Sequence, residues 1–309
     1  MENKVFDSVK SLPFKDGYYV QHSSLKDISS LEGYEMTDRI LSFKNISNFI
    51  HLFRVWIGFG FVRNNFKNGA TIVDIGSGFC EIPDLLACNF GKYNYYCLEF
   101  DSKKLEKVAK RKIGSFNRVL VQTDLSKASL PFADDAVDCA ISIESIEHIP
   151  KDNGLKLLLE INRILKVGGK LLLTTPNVRN SEMVEAFHIY EYEFNEMRAF
   201  LATAGFEILE CFGLNISKNI RNIDKQRKDD ACYNSLRKIL PSSVIKPFFS
   251  FDKPDESKAF GIICRKKSIP LLTDVGKAFF GFSDGKNGKQ QLRNPQFKKY
   301  SEKFLDVNK

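Results

Sequence analysis

From residue 69 onward the chain alternates short apolar runs with stretches patterned at helical spacing. The runs TIVDI (71–75), YYCLEF (95–100), RVLVQT (118–123), DCAISI (138–143) and KLLLTT (170–175) are rich in branched and aromatic residues. Near-continuous apolar runs of this length predict strands buried on both faces. Between them the spacing predicts helices over about 81–89, 102–112 and 153–166. The last is expected to end at Val167-Gly168-Gly169, where glycine can take a left-handed cap conformation. Such a βαβ succession implies a parallel sheet wrapped by helices. Farther on, Tyr192–Ala204 reads as a helix closed by Gly205, and 206–213 and 259–266 read as two more strands.

Upstream, Ser47–Val62 (SNFIHLFRVWIGFGFV) is apolar at helical spacing, with Lys44, Arg54 and Arg63 on its polar side. This predicts an amphipathic helix packed on the core, since two arginines are too few for a basic membrane-binding face. Residues 1–37 are weakly patterned. A Lys/Arg-rich insert separates the last two predicted strands, and the Gly-, Lys- and Asn-rich segment after Ser268 is the least structured by composition. The expected organisation is an N-terminal helical cover (1–68), a main domain (69–267) carrying an insert (214–258), and a basic tail (268–309).

A 309-residue chain with 43% apolar and 27% charged residues can bury a large core. It has no apolar window of the roughly 18 residues a membrane span needs, and its first residues are too charged for a signal peptide. Seven cysteines form no CxxC pair and include an odd one, which argues against a zinc ribbon or a complete disulfide framework. A reducing, cytoplasmic setting is therefore expected. The net charge of +8 is uneven: residues 214–309 hold 21 Lys and Arg against 10 Asp and Glu. That basic third would suit an anionic partner such as RNA, a nucleotide sugar or a phosphorylated glycan.

VDIGSG (73–78) stands where the first strand should end and the next helix begin. Glycine there allows a tight turn and close approach of a ligand to the backbone. The third glycine of the dinucleotide fingerprint is missing, since Cys80 and Glu81 follow Phe79, which argues against a pyrophosphate cradle and an oxidoreductase. Glu99, 23 residues after Gly76, ends the second strand, where a carboxylate can accept from a ribose diol. Asp124 ends the third.

With these acids, the stretch TDLSKASLPFADDAVDCAISIESIEHIPKDNGLKLLLEINRILKVGGKLLLTTPN (123–177) resembles the class I S-adenosylmethionine-dependent methyltransferases, in their small-molecule, quinone and sugar branch. The resemblance covers about 69–213. It implies a Rossmann-like, seven-stranded, mostly parallel sheet with helices on both faces, and S-adenosylmethionine as cofactor. By the same likeness Asp74, Gly76, Ser77 and Gly78 would border the methionine part and Glu99 the ribose. Phe100 would pack on adenine, Asp124 and Leu125 would meet its edge, and Glu144 would line the cofactor pocket. The chain departs from the pattern at Cys80 and at Ala136-Val137, where an aromatic residue is usual.

A sulfonium donor is already activated, so the enzyme must align an acceptor and, for a hydroxyl, remove its proton. Of four histidines, His22 and His51 lie outside the resemblance and read as structural or surface groups. His188, in a segment resembling the element that closes this family's sites, is the expected base, with His148 beside it as the second candidate. On a helix Glu144, Glu147 and His148 would share a face. Together with His188 they resemble the divalent-ion site of small-RNA 3′-end methyltransferases, an alternative in which a metal activates the acceptor.

The string after the fourth strand, Ile143-Glu144-Ser145-Ile146, is not the Pro-Pro-aromatic motif of DNA amino-methyltransferases. Cys139 has no preceding proline and reads as core rather than as a cytosine-methylating nucleophile. The expected reaction is O-methylation of a small-molecule or carbohydrate acceptor. The alternatives are 2′-O-methylation of RNA and a non-catalytic binding module.

Overall fold

The computed structural model describes residues 8–22, 47–88, 91–111, 116–181, 188–216, 231–239 and 250–267. Nine strands form one sheet: β1 (Phe14–Lys15), β2 (Tyr18–Val20), β3 (Thr71–Ile75), β4 (Asn94–Glu99), β5 (Arg118–Gln122), β6 (Val137–Ile143), β7 (Leu165–Pro176), β8 (Phe206–Ile216) and β9 (Ser257–Lys266). Their order is β1-β2-β5-β4-β3-β6-β7-β9-β8. Pairing is parallel from β2 through β7, and β1, β9 and β8 are antiparallel to their neighbours.

The sequence runs outward from β3 to β4 and β5, then crosses back to β6 and β7. The reversal between β3 and β6 opens a crevice at the carboxyl ends of these strands, where ligands of open α/β sheets bind. Two apolar layers fix the sheet. On one face Val73, Ile75, Tyr96 and Leu98 pack against α4 (Lys151–Ile164) and α5 (Phe194–Thr203). On the other, Ile72, Tyr95, Cys97 and Leu172 pack against α1 (Ser47–Asn65), α2 (Glu81–Cys88) and α3 (Ser102–Ala109). Each fully buried Leu, Ile or Val stabilises the fold by about 1.5–3 kcal/mol. A sixth helix, α6, spans Ala231–Ile239 within the insert.

The predicted strands and helices from residue 69 onward all form, with ends moved by a few residues. Three expectations need correction. Among the described residues the sheet has nine strands rather than seven, because β1 and β2 add an edge beside β5. Residues 1–68 are accordingly not a purely helical cover. Their missed hairpin carried a short-range signal in Asp16-Gly17, which takes positive φ at both positions (51° and 92°), the requirement of a tight two-residue hairpin turn. Finally, the helix ending at Ile164 is not capped by Gly168: Leu165 is already extended, and Gly168 (φ 80°) lies within β7 at a register shift against β6.

Asp138 braces that shifted edge, accepting from the Thr71 N–H at 2.9 Å and pairing with Lys166 at 2.6 Å. No described helix is long and apolar enough to cross a membrane. Cys80, Cys88, Cys97, Cys139, Cys211 and Cys264 are free thiols. Cys139 is fully buried in β6, as expected of a core residue. Most of the basic final third lies outside the described residues.

Candidate active site

The turn after β3 takes positive φ at Gly76 (74°), Gly78 (55°) and Cys80 (57°). Cys80, one departure from the methyltransferase pattern, thus keeps the left-handed backbone although it carries a side chain. The Gly76 and Ser77 N–H groups both donate to the Leu98 carbonyl at 2.9 Å, locking the turn onto β4. A Cβ at Gly76 would lie 2.2 Å from Ser145 Oγ, so this glycine permits the loops after β3 and β6 to touch. A Cβ at Gly78 would meet nothing within 4 Å. The turn therefore keeps free space on one side.

Glu99 ties the β3 and β4 loops together. Its Oε2 accepts from Gly78 N–H at 2.9 Å, and its Oε1 accepts from Phe100 and Asp101 N–H at 2.9 and 3.0 Å. A carboxylate offers about four acceptor sites, so the spare one is on Oε2. Phe100 follows, half-buried, its carbonyl accepting from Gln122 at 3.3 Å. The residues present suit the adenosyl and methionine parts of S-adenosylmethionine: a buried acid with acceptor capacity beside an unobstructed glycine turn.

Asp74 has a different setting. It is 4% exposed and accepts from Tyr95 Oη at 2.9 Å. Burial pushes its carboxyl up to about 7, with Glu81 and Glu99 adding like-charge repulsion and the Tyr95 hydrogen bond opposing. Its side chain is anchored to β4 within the core.

At the end of β5, Asp124 caps a 3₁₀ turn (Leu125–Lys127), accepting from Ser126 N–H at 3.0 Å and Ser126 Oγ at 2.6 Å. Leu125 is buried on the apolar side. His22 joins this corner, its Nδ1 accepting from Asp124 N–H at 3.2 Å and contacting Thr123 Oγ1 at 3.1 Å. Thr123 Oγ1 also donates to Gln21 Oε1 at 2.7 Å. Burial lowers the His22 pKa, and the Lys127 charge lowers it further. His22 enters the site only because β2 runs beside β5.

Beyond β6 the expected grouping divides. Glu144 does not share a helical face with Glu147 and His148: it takes φ 48°, and only a 3₁₀ turn (Ile146–His148) follows. Glu144 Oε1 accepts from Thr174 Oγ1 at 2.9 Å, and Oε2 pairs with Arg54 Nη2 of α1 at 2.9 Å. His51 of the same helix meets Glu81 at 3.3 Å. Gly58 lets α1 approach closely, since a Cβ there would stand 2.5 Å from Ile82. Thus α1 spans two acids flanking the glycine turn.

Glu147, His148 and His188 do come together, each offering an atom within 4.8 Å of the others'. Glu147 is wholly buried; Oε2 accepts from Thr175 Oγ1 at 3.1 Å, while Oε1 has no hydrogen-bond partner. Burial pushes its carboxyl up to about 8, Glu144 adds to the rise, and His188 opposes it. The Glu147 carbonyl accepts from Ile189 and Tyr190 N–H at 2.8 and 3.0 Å, which draws the His188 segment against the turn. His188 is buried with its Nδ1 2.6 Å from Glu191 Oε1, and Ser181 Oγ donates to Glu191 Oε2 at 2.5 Å. His148 is exposed, its ring centroid 5.1 Å from that of His188. Sequence reasoning overlooked Glu191; its offset of three from a candidate histidine was the available signal.

Residues 73–173 match the family model described as a methyltransferase domain. This stretch contains the glycine turn, Glu99, Asp124 and the loop after β6. Residues 73–173 thus carry a methyltransferase domain, similar to that of S-adenosylmethionine-dependent methyltransferases. The methyltransferase domain is also similar to curated proteins. A probable S-adenosylmethionine-dependent methyltransferase of Mycobacterium tuberculosis is 26% identical over 159 residues, 50% of this chain and 54% of that protein. The ubiquinone/menaquinone biosynthesis C-methyltransferase of Bordetella avium is 29% identical over 125 residues, 40% of this chain and 47% of the relative. The chain thus spans about half the length of these relatives. Among solved structures, a SAM-dependent methyltransferase from Archaeoglobus fulgidus aligns with a TM-score of 0.48 and 17% identity, covering 75% of this chain and 100% of that one.

Proposed function

We propose that this methyltransferase domain O-methylates a hydroxyl of a small-molecule or carbohydrate acceptor, with His188 as general base. The observation that carries this reading is the Glu191–His188 pair: a buried imidazole held at 2.6 Å by a carboxylate, next to the loop that follows β6. Glu191 accepting from Nδ1–H leaves Nε2 with its lone pair, the state a base needs.

S-adenosylmethionine, when bound, supplies an activated methyl whose bond to sulfur breaks as the bond to the acceptor oxygen forms, leaving a thioether. Gly76, Ser77 and Gly78 would hold its methionine part, Glu99 its ribose through the spare acceptor site on Oε2, and Phe100, Asp124 and Leu125 its adenine. Glu144, paired with Arg54 and hydrogen-bonded by Thr174, would form the wall between cofactor and acceptor. The acceptor's hydroxyl proton would pass to His188 Nε2, and Glu191 would stabilise the resulting imidazolium. Glu147, burdened by burial, would hold its own proton at neutral pH and so avoid a second negative charge beside the base.

The test is incubation of purified protein with methyl-labelled S-adenosylmethionine and fractionated host extract. Alkali-stable label in small molecules or glycans is expected. Label confined to nuclease-sensitive polymer would replace this acceptor class with RNA, and label on carbon or nitrogen would remove the need for a hydroxyl base.

A further inference from the structure

The corner at the end of β5 holds contacts that methyl transfer itself does not use. His22 follows β2, and the register of Tyr19 with Val121 and Val20 with Gln122 sets it beside Thr123 and Asp124, 101 and 102 residues away in sequence. Its Nδ1 accepts from the Asp124 N–H at 3.2 Å and lies 3.1 Å from Thr123 Oγ1. Gln21 is tied down beside it. Its N–H donates to the Gln122 carbonyl at 3.0 Å, its Nε2 to the Ser129 carbonyl at 3.1 Å, and its Oε1 accepts from Thr123 Oγ1 at 2.7 Å.

The Gln21 amide decides where the protons lie. With its N–H₂ on Ser129, Oε1 faces Thr123, so the Thr123 hydroxyl gives its one proton to Gln21 and can turn a lone pair toward His22. Neutral His22, unprotonated at Nδ1, accepts from Asp124 N–H. Protonated His22 has no lone pair at Nδ1 and would donate to Thr123 Oγ1 instead. The two states thus hold different partners. Lys127 and Asp124, both at the 3₁₀ turn, are the charged groups that act on the ring; Gln21 and Thr123, the other side chains at this corner, are uncharged. Burial and then Lys127 lower the His22 pKa, so the state that holds Asp124 prevails at neutral pH.

We propose that His22 is a positioning residue for recognition of the cofactor's base: through Nδ1 it fixes the Asp124 backbone so that the Asp124 carboxylate meets the exocyclic amine of adenine. Asp124 Oδ1 is filled by Ser126 N–H and Oγ–H at 3.0 and 2.6 Å, and among the described residues nothing donates to Oδ2. An open carboxylate oxygen accepts from an amine and repels the carbonyl of a 6-oxopurine. The nitrogen that His22 holds is bonded to the Cα that carries this carboxylate, so losing the contact loosens the backbone that aims it. The inference rests on the placement of adenine at Asp124 given above. It adds the N-terminal hairpin to the site, since His22 lies outside the stretch 73–173 that matches the methyltransferase model.

The experiment titrates the full chain calorimetrically with S-adenosylhomocysteine and with S-inosylhomocysteine, which carries an oxygen in place of the amine. The parent should prefer the adenine compound. His22→Ala should reduce that preference by about three- to tenfold, the range of one ordinary hydrogen bond. His22→Asn should restore it, because its amide oxygen can stand where Nδ1 stands. Lowering the pH from 7 to 5 should weaken S-adenosylhomocysteine binding more in the parent than in His22→Asn, since only the histidine changes partners; Asp74, raised to about 7, titrates in both.

Glu99→Gln checks the cofactor placement separately. If it weakens binding while His22→Ala keeps the full preference for the adenine compound, the role of His22 is refuted and the cofactor placement stands. If neither variant changes binding, both fall. A loss in His22→Ala that is equal for the two compounds and is not restored in His22→Asn would mark a purely structural contact and overturn the inference. Should His22→Ala fold poorly, the pH comparison of parent with His22→Asn decides alone, and equal falls in affinity would overturn it.

Discussion

Arg54, on the helix preceding the sheet's central strand, pairs with Glu144 at 2.9 Å across the mouth of the crevice between β3 and β6. Neither side chain is more than about a quarter exposed, and Glu144 takes a backbone conformation that side chains disfavour, φ 48°. A residue held in that region costs of order 1–3 kcal/mol unless its surroundings impose it. Arg54 and Thr174 are what impose it on Glu144.

It follows that Glu144→Gly should be more stable than Glu144→Ala by about 1 kcal/mol, because glycine takes positive φ without the Cβ clash. Both variants lose the ion pair, so their difference isolates the backbone. Urea denaturation monitored by fluorescence measures it; equal midpoints would mean that φ at 144 relaxes in solution.

Glu99→Gln should lower S-adenosylmethionine affinity by about 1–3 kcal/mol. Glutamine offers one acceptor oxygen where the carboxylate receives three backbone N–H groups on two. Its amide N–H₂ must face donors. Isothermal titration reads the loss, and an unchanged affinity would refute the placement of the cofactor on Glu99.

Asp74 makes stability depend on pH. Burial raises its carboxyl from 3.8 to about 7, so the folded protein holds a proton that the unfolded chain has released between those values. Stability from this group is therefore full below about pH 4 and is lost as pH rises through 7, by at most ~4 kcal/mol. Asp74→Asn keeps the Tyr95 hydrogen bond and cannot ionise. The stability of this variant relative to the parent should rise steadily from pH 4 to pH 8 in denaturant titrations; a flat difference would show that Asp74 titrates normally.

His188→Gln should reduce turnover by about 10²–10⁴-fold with S-adenosylmethionine affinity unchanged, once an acceptor is in hand. Glu191→Gln should give a smaller loss and shift the acidic limb of the rate profile, because it alters His188 only through Nδ1. Full turnover in His188→Gln would assign the proton to another group.

The strands and helices from residue 69 onward were legible in the sequence because each is governed by local periodicity: TIVDI and RVLVQT carry apolar residues facing both layers, although Thr71, Asp74, Gln122 and Thr123 are buried as well. The glycine turn and the acids at 99 and 124 were legible for a related reason, standing at fixed offsets from strand ends. Pairing across the fold was not. Tyr18–Val20 is too short to show a period, and only its parallel register with β5 makes it a strand that carries His22 to Asp124.

The grouping of Glu144 with Glu147 and His148 followed from assuming a helix. The chain instead leaves β6 with one left-handed residue, which sends Glu144 to Arg54 while Glu147 turns toward His188. A charge's partner is chosen by distance in space, and the separation of 90 residues between Arg54 and Glu144 leaves no local pattern. Most element types from residue 69 onward and the glycine turn were thus determined by the sequence alone. Which acids are neutralised, which are stranded in the core and which face the histidines was decided only by the tertiary structure, through burial and the reach of side chains from distant segments.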